Sequence, residues 1–332
     1  MYRVGAVTYM STSLTPRDAK ILIRYLDAVD DAVTERLEVG YNPSEENLTF
    51  LLCEMLDDNK ASRNTLSYPL TQMKAELAAD SKRLVVSLAI ETRQYPRHIE
   101  SRLTSSDIGI IVSYRDHVRH NSFESGVLLQ AKRLYHSLNH PKYSLNDSFE
   151  AFDRSQLKAM LDISQRYSGP DMSRRDPTGA VGLCRYLFYC PRPNAYDEDS
   201  QEELQHYLLP GANIFDYAKG WHLYEFASDP KRHVPGLLAS SISWLAEVWI
   251  DNRLRKSKPV AREVFERLWH DVEPLSWFLV YGMILGRAGC HEGGALDLVR
   301  GRGSAVEQFS AETPILPRFV LTVDVEVGVA RG

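Results

Sequence analysis

The chain has 332 residues, 44% of them hydrophobic, enough to build substantial cores in one large domain or two ordinary ones. A formal net charge of -5 excludes the global basic field that marks many nucleic-acid binders, although it leaves room for a local positive cleft. No apolar run approaches the roughly 18 residues a membrane span needs, and the stretch 1–10 is too short and too polar for a secretory signal, so a cytoplasmic protein with no membrane partner is expected.

Residues 3–10 suit a short first strand, stopped by the stretch 11–16. Thr15 and Pro16 then read as a helix start, threonine as cap and proline in the first helical position. Ala19, Ile21, Leu22, Tyr25, Leu26 and Val29 keep one face of that helix apolar to about residue 36. A second start at Pro43 and Ser44 predicts a helix over 45–58, with Leu48, Leu51, Leu52, Met55 and Leu56 facing a core. Glu46 lies in its first turn, where a glutamate can also do no more than satisfy the helix dipole. A short helix is expected over 69–80 and a strand over 84–90.

Two apolar strands follow, one opening at Asp107 and running through Ile110, Ile111 and Val112 to Tyr114, the other running from Gly126 to Arg133. A polar turn over 115–124 separates them. In the second strand Gln130 and Lys132 share one face, while Val127, Leu129 and Ala131 point the other way. A solvated face, with Lys132 snorkelling its amine to water, is the plain reading of that pattern. The stretch 115–142 is locally basic, carrying Arg115, Arg119, Lys132, Arg133 and Lys142 along with His117, His120, His136 and His140. Without ligand spacing the histidines do not describe a zinc site, and the basic excess suits phosphate.

An amphipathic helix over 152–166, a loop over 169–182 and a strand over 184–190 complete a helix, three strands, helix, strand order across residues 40–191. Beyond it, 194–203 reads as a polar loop, 237–255 as a helix, 260–286 as one or two helices interrupted at Pro274, 293–304 as a flexible or binding loop, and 319–327 as a closing strand. All of the tryptophans, Trp221, Trp244, Trp249, Trp269 and Trp277, fall in this half and read as packing rather than base-stacking residues. Gly301–Ser304 lacks the glycines and the Lys-Ser/Thr of a P-loop. Cys53, Cys184, Cys190 and Cys290 form no CxxC pair and read as buried thiols in a reducing compartment.

The second reading of the paired strands is chemical. Hydrolysing a phosphodiester requires neutralising the non-bridging oxygens, activating water and stabilising the leaving oxygen, and a magnesium ion held by oxygen ligands supplies much of this. Asp107 offers a carboxylate, Gln130 an amide oxygen, Ala131 its backbone carbonyl, and Glu46 a further carboxylate from a packed helix, directly or through water. Lys132 would sit beside the ion, positioning water and offsetting phosphate charge. With glutamine in place of a third acid, metal affinity should be modest.

Glu46 in a helix, Asp107 opening a strand and Gln130-Ala131-Lys132 in the next strand resemble the PD-(D/E)xK nuclease superfamily, in its Mrr-like restriction branch with a QxK motif. The resemblance covers about 150 residues. Ser106 stands where the family has proline. It implies an α/β fold of restriction-endonuclease type, a central mixed sheet flanked by helices, and a Mg2+-dependent DNA endonuclease of restriction or anti-phage defence, with Mn2+ as a substitute ion. It also implies Asp107, Gln130 and Lys132 as catalytic residues, Glu46 as the helix contribution, Gln156 as a polar residue aimed at the site, and Glu100 as an acid that replaces or supplements Glu46. On this reading residues 1–195 form the nuclease-like domain and 196–332 a mainly helical region for DNA or partner contact. Expected partners are DNA, a second copy in a homodimer, and an ATPase or other defence subunit. Two alternatives stand beside it: a catalytically inactive nucleic-acid-binding module, and a structural subunit of a defence complex.

Overall fold

The structure, a computed structural model, describes residues 12–38, 43–60, 66–79, 84–94, 106–137, 140–149, 153–168, 182–207, 236–245, 258–291, 293–301 and 317–329. The strand expected over 3–10, nearly all of the 169–182 loop, Trp221, Trp249 and Glu100 lie outside these residues.

Local chemistry starts the first two helices where the sequence places them. At the head of α1 (Pro16–Glu38) the Asp18 N–H donates to the Thr15 hydroxyl at 3.2 Å and the Thr15 N–H donates to the Asp18 carboxylate at 2.8 Å, a reciprocal cap. At the head of α2 (Glu45–Leu56) the Asn47 N–H donates to Ser44 Oγ at 3.1 Å. Then come α3 (Leu70–Ala79), β1 (Leu84–Gln94), β2 (Ile108–Asp116), β3 (Asn121–Tyr135) and the short β4 (Ser148–Phe149). After them follow α4 (Arg154–Ser168), β5 (Cys184–Tyr189), α5 (Glu198–Tyr207), β6 (Leu237–Ser241), α6 (Ala261–Phe265) and β7 (Val272–Pro274). The described chain ends with α7 (Leu275–Trp277), a π-helical continuation over Phe278–Ile284, α8 (Gly293–Val299) and β8 (Phe319–Val329).

The strands form one mixed sheet in the order β1-β8-β2-β3-β5-β6-β7, with β4 paired to β3. β2 runs parallel to β8 and β3 parallel to β5, and the remaining pairs are antiparallel. One face packs Ile110, Val112, Leu129, Ala131, Leu321 and Val323 into a core with α1, α2, α3 and the π-helical segment. The other packs Leu128, Leu134, Tyr186 and Phe188 against α4, α5, α6 and α8. The fold is therefore α/β, with a central mixed sheet that does not close into a barrel and helices on both faces. Outside β6, β7 and β8 the described part of the C-terminal region is mainly helical, but these strands join the same sheet and β8 lies between β1 and β2. A boundary after residue 195 thus cuts across one continuous sheet.

Several expected elements change type. Leu237–Ser241 opens as a strand rather than a helix because it is buried and paired on both sides, by β5 and β7, and short apolar runs of this kind satisfy either periodicity. Part of the polar loop expected over 194–203 is α5, whose start is capped when the Ser200 N–H donates to the Asp197 carboxylate at 2.8 Å. The glycines at 293–294 open α8 instead of a loop. The polar turn before β3 shrinks to 117–120, with His120 at φ 51, because Phe123 and Ser125 already alternate inward as strand residues. Trp244 is buried and donates to Ser240 Oγ at 2.6 Å, and Trp269 and Trp277 meet edge to face, all as packing. The four cysteines are buried and form no disulfide among the described residues. Among the described residues no helix is long and apolar enough to cross a membrane.

α1 is tied to the sheet through Asp30, whose carboxylate oxygens accept the Leu237 N–H at 3.1 and 3.2 Å and lie 3.5 Å from the Arg192 guanidinium. The approach requires Gly236, where a Cβ would meet Thr34 Cγ2 at 1.9 Å. Burial pushes the Asp30 carboxyl up to about 7 against the pull of Arg192, and pushes Asp27 up to about 6. Both values lie above those of the unfolded chain, so the folded state holds these protons more tightly. The resulting stabilisation is present below a pH of about 4 and is lost as pH rises through the folded values. The contribution of this cluster to the thermal midpoint is therefore expected to decline between about pH 4 and 7, and Asp30→Asn to flatten that part of the profile. A midpoint that falls over this interval equally in both proteins would place the titration elsewhere.

Candidate active site

β3 outruns its antiparallel neighbour. The register with β2 begins at Ile108 opposite Leu129, and the Asp107 N–H closes the ladder on the Leu129 carbonyl at 2.9 Å. Past that point β3 continues to Tyr135, so backbone groups on its β2 side open into a notch. Two carboxylates fill the role of the missing strand. The Ala131 N–H donates to Asp107 Oδ2 at 2.8 Å, and the Arg133 N–H donates to Glu45 Oε2 at 3.1 Å. Residues two apart on a strand are separated by about 6.6 Å, which holds the two acids near one another.

Side chains converge on the same place. Gln130 Nε2 donates to Asp107 Oδ2 at 2.6 Å and to the Ala131 carbonyl at 3.3 Å, while Gln130 Oε1 accepts from Gln156 Nε2, in the first turn of α4, at 2.8 Å. Lys132 Nζ lies 3.8 Å from Glu45 Oε1. Strand alternation puts Gln130 and Lys132 on the α4 face, yet they are only 4% and 6% exposed. This burial rules out the solvated-face reading: the amine does not snorkel to bulk water but sits among carboxylates. Asp153, at the cap of α4, is held below the usual carboxylate range chiefly by the Ser155 hydroxyl and N–H, with the Lys132 charge a smaller contribution.

The structure thus brings together Asp107, Gln130, Ala131 and Gln156, with Lys132 alongside. It places Glu46 differently from the expectation. Glu46 pairs with Arg318, and Glu45 is the acid that reaches β3. The helical period explains the exchange, because Glu45, Leu48, Thr49, Leu52 and Leu56 form one stripe, of which the last four are buried. Stepping back from Leu52 and Leu48 by one turn identifies Glu45 from sequence alone. Arg133 secures the arrangement by donating from its guanidinium to the Pro43 carbonyl, just before α2. Arg318, directly before β8, carried no sequence signal, since its place depends on β8 entering the sheet beside β2. The basic stretch expected over 115–142 does not form one patch: His117 and His120 sit at the far end of β2, about 30 Å along the strand from Asp107, and Arg115 there faces Asp324 and Glu326.

Among the described residues no three or more His, Cys, Asp or Glu gather as metal ligands. The donor set is instead two carboxylates, a backbone carbonyl and an amide, all hard oxygen donors of the type Mg2+ and Mn2+ accept, and unlike a zinc site. The amide nitrogen of Gln130 currently bridges the Asp107 and Ala131 oxygens. A half-turn of its terminal torsion exchanges nitrogen for oxygen, and the amide of Gln156 can accept as readily as it donates. The residues therefore fit a weakly held divalent ion. No protein-family model matches the chain, and no curated protein or solved structure is significantly similar to it.

Proposed function

We propose that this chain is a Mg2+-dependent endonuclease that hydrolyses DNA phosphodiester bonds, serving in restriction or anti-phage defence as a distant relative of the PD-(D/E)xK superfamily. The observation that carries the reading is that Gln130 Nε2 lies 2.6 Å from Asp107 Oδ2 and 3.3 Å from the Ala131 carbonyl, next to a buried lysine on the same strand. Asp107, Glu45, the Ala131 carbonyl and Gln130 Oε1 would hold Mg2+, or Mn2+ in its place. A bound ion of this kind supplies Lewis-acid stabilisation of the developing phosphate charge and a more acidic water. Lys132 offsets phosphate charge and orients the attacking water, and burial strengthens both effects. Gln156 keeps the Gln130 amide aligned.

Cutting both strands favours a homodimer, since one site makes one break at a time, and an ATPase or another defence subunit would license the cut. A second reading, a DNA-binding module without cleavage, draws on the Gln130 amide closing the notch and on the two carboxylates, Asp107 and Glu45, that among the described residues accept from the β3 backbone there. Supercoiled plasmid incubated with the purified protein separates them. Nicking or linearisation in Mg2+ or Mn2+, abolished by EDTA, is expected; retention of DNA with no cut in either ion favours the second reading.

A further inference from the structure

The Phe319 N–H donates to the Asp107 carbonyl at 3.0 Å, so the residue before β8 stands at the rim of the notch. That residue is Arg318. Its side chain is 12% exposed, lies with its guanidinium carbon 5.3 Å from the centre of the Phe319 ring, and pairs with Glu46. Gly109 makes room for this approach, because a Cβ there would come within 2.8 Å of Pro317 Cγ. The first turn of α2 therefore sends one carboxylate, Glu45, to Lys132 and the Arg133 N–H, and the next, Glu46, to Arg318.

The two pairings differ in kind. Glu45 is mostly covered, whereas the Glu46 side chain is 44% exposed. A guanidinium presents a donor fork that matches the paired oxygens of a phosphate as well as it matches a carboxylate. An ion pair with one partner this exposed to water is weak enough to exchange. A scissile phosphate brought to Asp107 and Lys132 places its neighbours along the rim where Arg318 lies.

Building on the nuclease reading, we propose that Arg318 is a phosphate-binding residue of the site and that Glu46 is its intramolecular competitor, displaced when a DNA backbone phosphate takes the guanidinium. Glu46 then restrains substrate binding and is not a metal ligand. The step is an exchange of ion-pair partners, with no covalent change.

The test is equilibrium binding of a labelled DNA duplex, followed by fluorescence anisotropy in EDTA over a series of salt concentrations. Glu46→Gln is expected to tighten binding by about two- to fivefold, the scale of an exposed ion pair. Glu54→Gln, on the same helix, controls for loss of a charge and should leave affinity nearly unchanged. Arg318→Gln should weaken binding and reduce the salt dependence by about one phosphate contact, and adding Glu46→Gln to it should have no further effect. Arg318→Lys, which keeps the charge and loses the fork, should retain the salt dependence while binding less tightly than the parent. Glu46→Gln binding no tighter than Glu54→Gln, or Arg318→Gln with an unaltered salt dependence, overturns the exchange. If the parent protein binds and cuts DNA in these cases, the nuclease reading survives; a parent that neither binds nor cuts DNA overturns both.

Discussion

Lys132→Met is expected to slow DNA cleavage by about 10²- to 10³-fold, the usual cost of removing one preorganised charge from a transition state. Methionine replaces the unbranched apolar stem of the lysine as far as Cε and removes only the amine, so the packing on the α4 face survives. Glu45 retains the Arg133 N–H as a donor, and Asp153 retains its Ser155 contacts. The thermal midpoint should thus move little, and the loss should appear in the single-turnover cleavage rate at saturating Mg2+. Parental cutting rates in a folded Lys132→Met protein would remove the amine from the chemistry.

Asp107→Asn should act earlier, on the ion itself. The substitution keeps an oxygen able to accept from the Ala131 N–H and Gln130 Nε2, so the strand end can hold its shape, but the charge is gone. Asp107 is one of the two carboxylates that, among the described residues, accept from the β3 backbone at the notch, so its loss removes much of the negative charge there. Divalent affinity is expected to fall at least tenfold and cleavage by about 10³-fold, since ion and rate are lost together. Calorimetric titration of Mn2+ into both proteins reads the first effect without any turnover. Equal affinities would mean that Asp107 caps β3 and does nothing more.

How far the sequence could lead depended on the range of each interaction. The caps at Thr15 and Ser44 and the shared face of Gln130 and Lys132 are set by residues a few positions apart, and they were legible. The inward acid of α2 was also legible in principle, because the stripe through Leu48 and Leu52 selects Glu45 over Glu46. The insertion of β8 between β1 and β2 was not, since a strand's own alternation does not say which partner it will find more than 200 residues away. Arg318 was hidden for the same reason. Leu237–Ser241 failed differently: a five-residue buried run carries no period that separates strand from helix. Burial of Lys132 likewise emerges only after α2 and α4 pack around the end of β3.

The claim on which the nuclease reading rests is that the oxygens exposed where β3 outruns β2 hold a divalent ion. Anomalous diffraction from crystals soaked in Mn2+ measures this directly. The expected result is a peak within about 2.0–2.5 Å of an Asp107 oxygen and of the Ala131 carbonyl, with the Gln130 amide turned to present its oxygen. Soaked crystals in which the Gln130 nitrogen still bridges Asp107 and Ala131, with no peak in the notch, would contradict it.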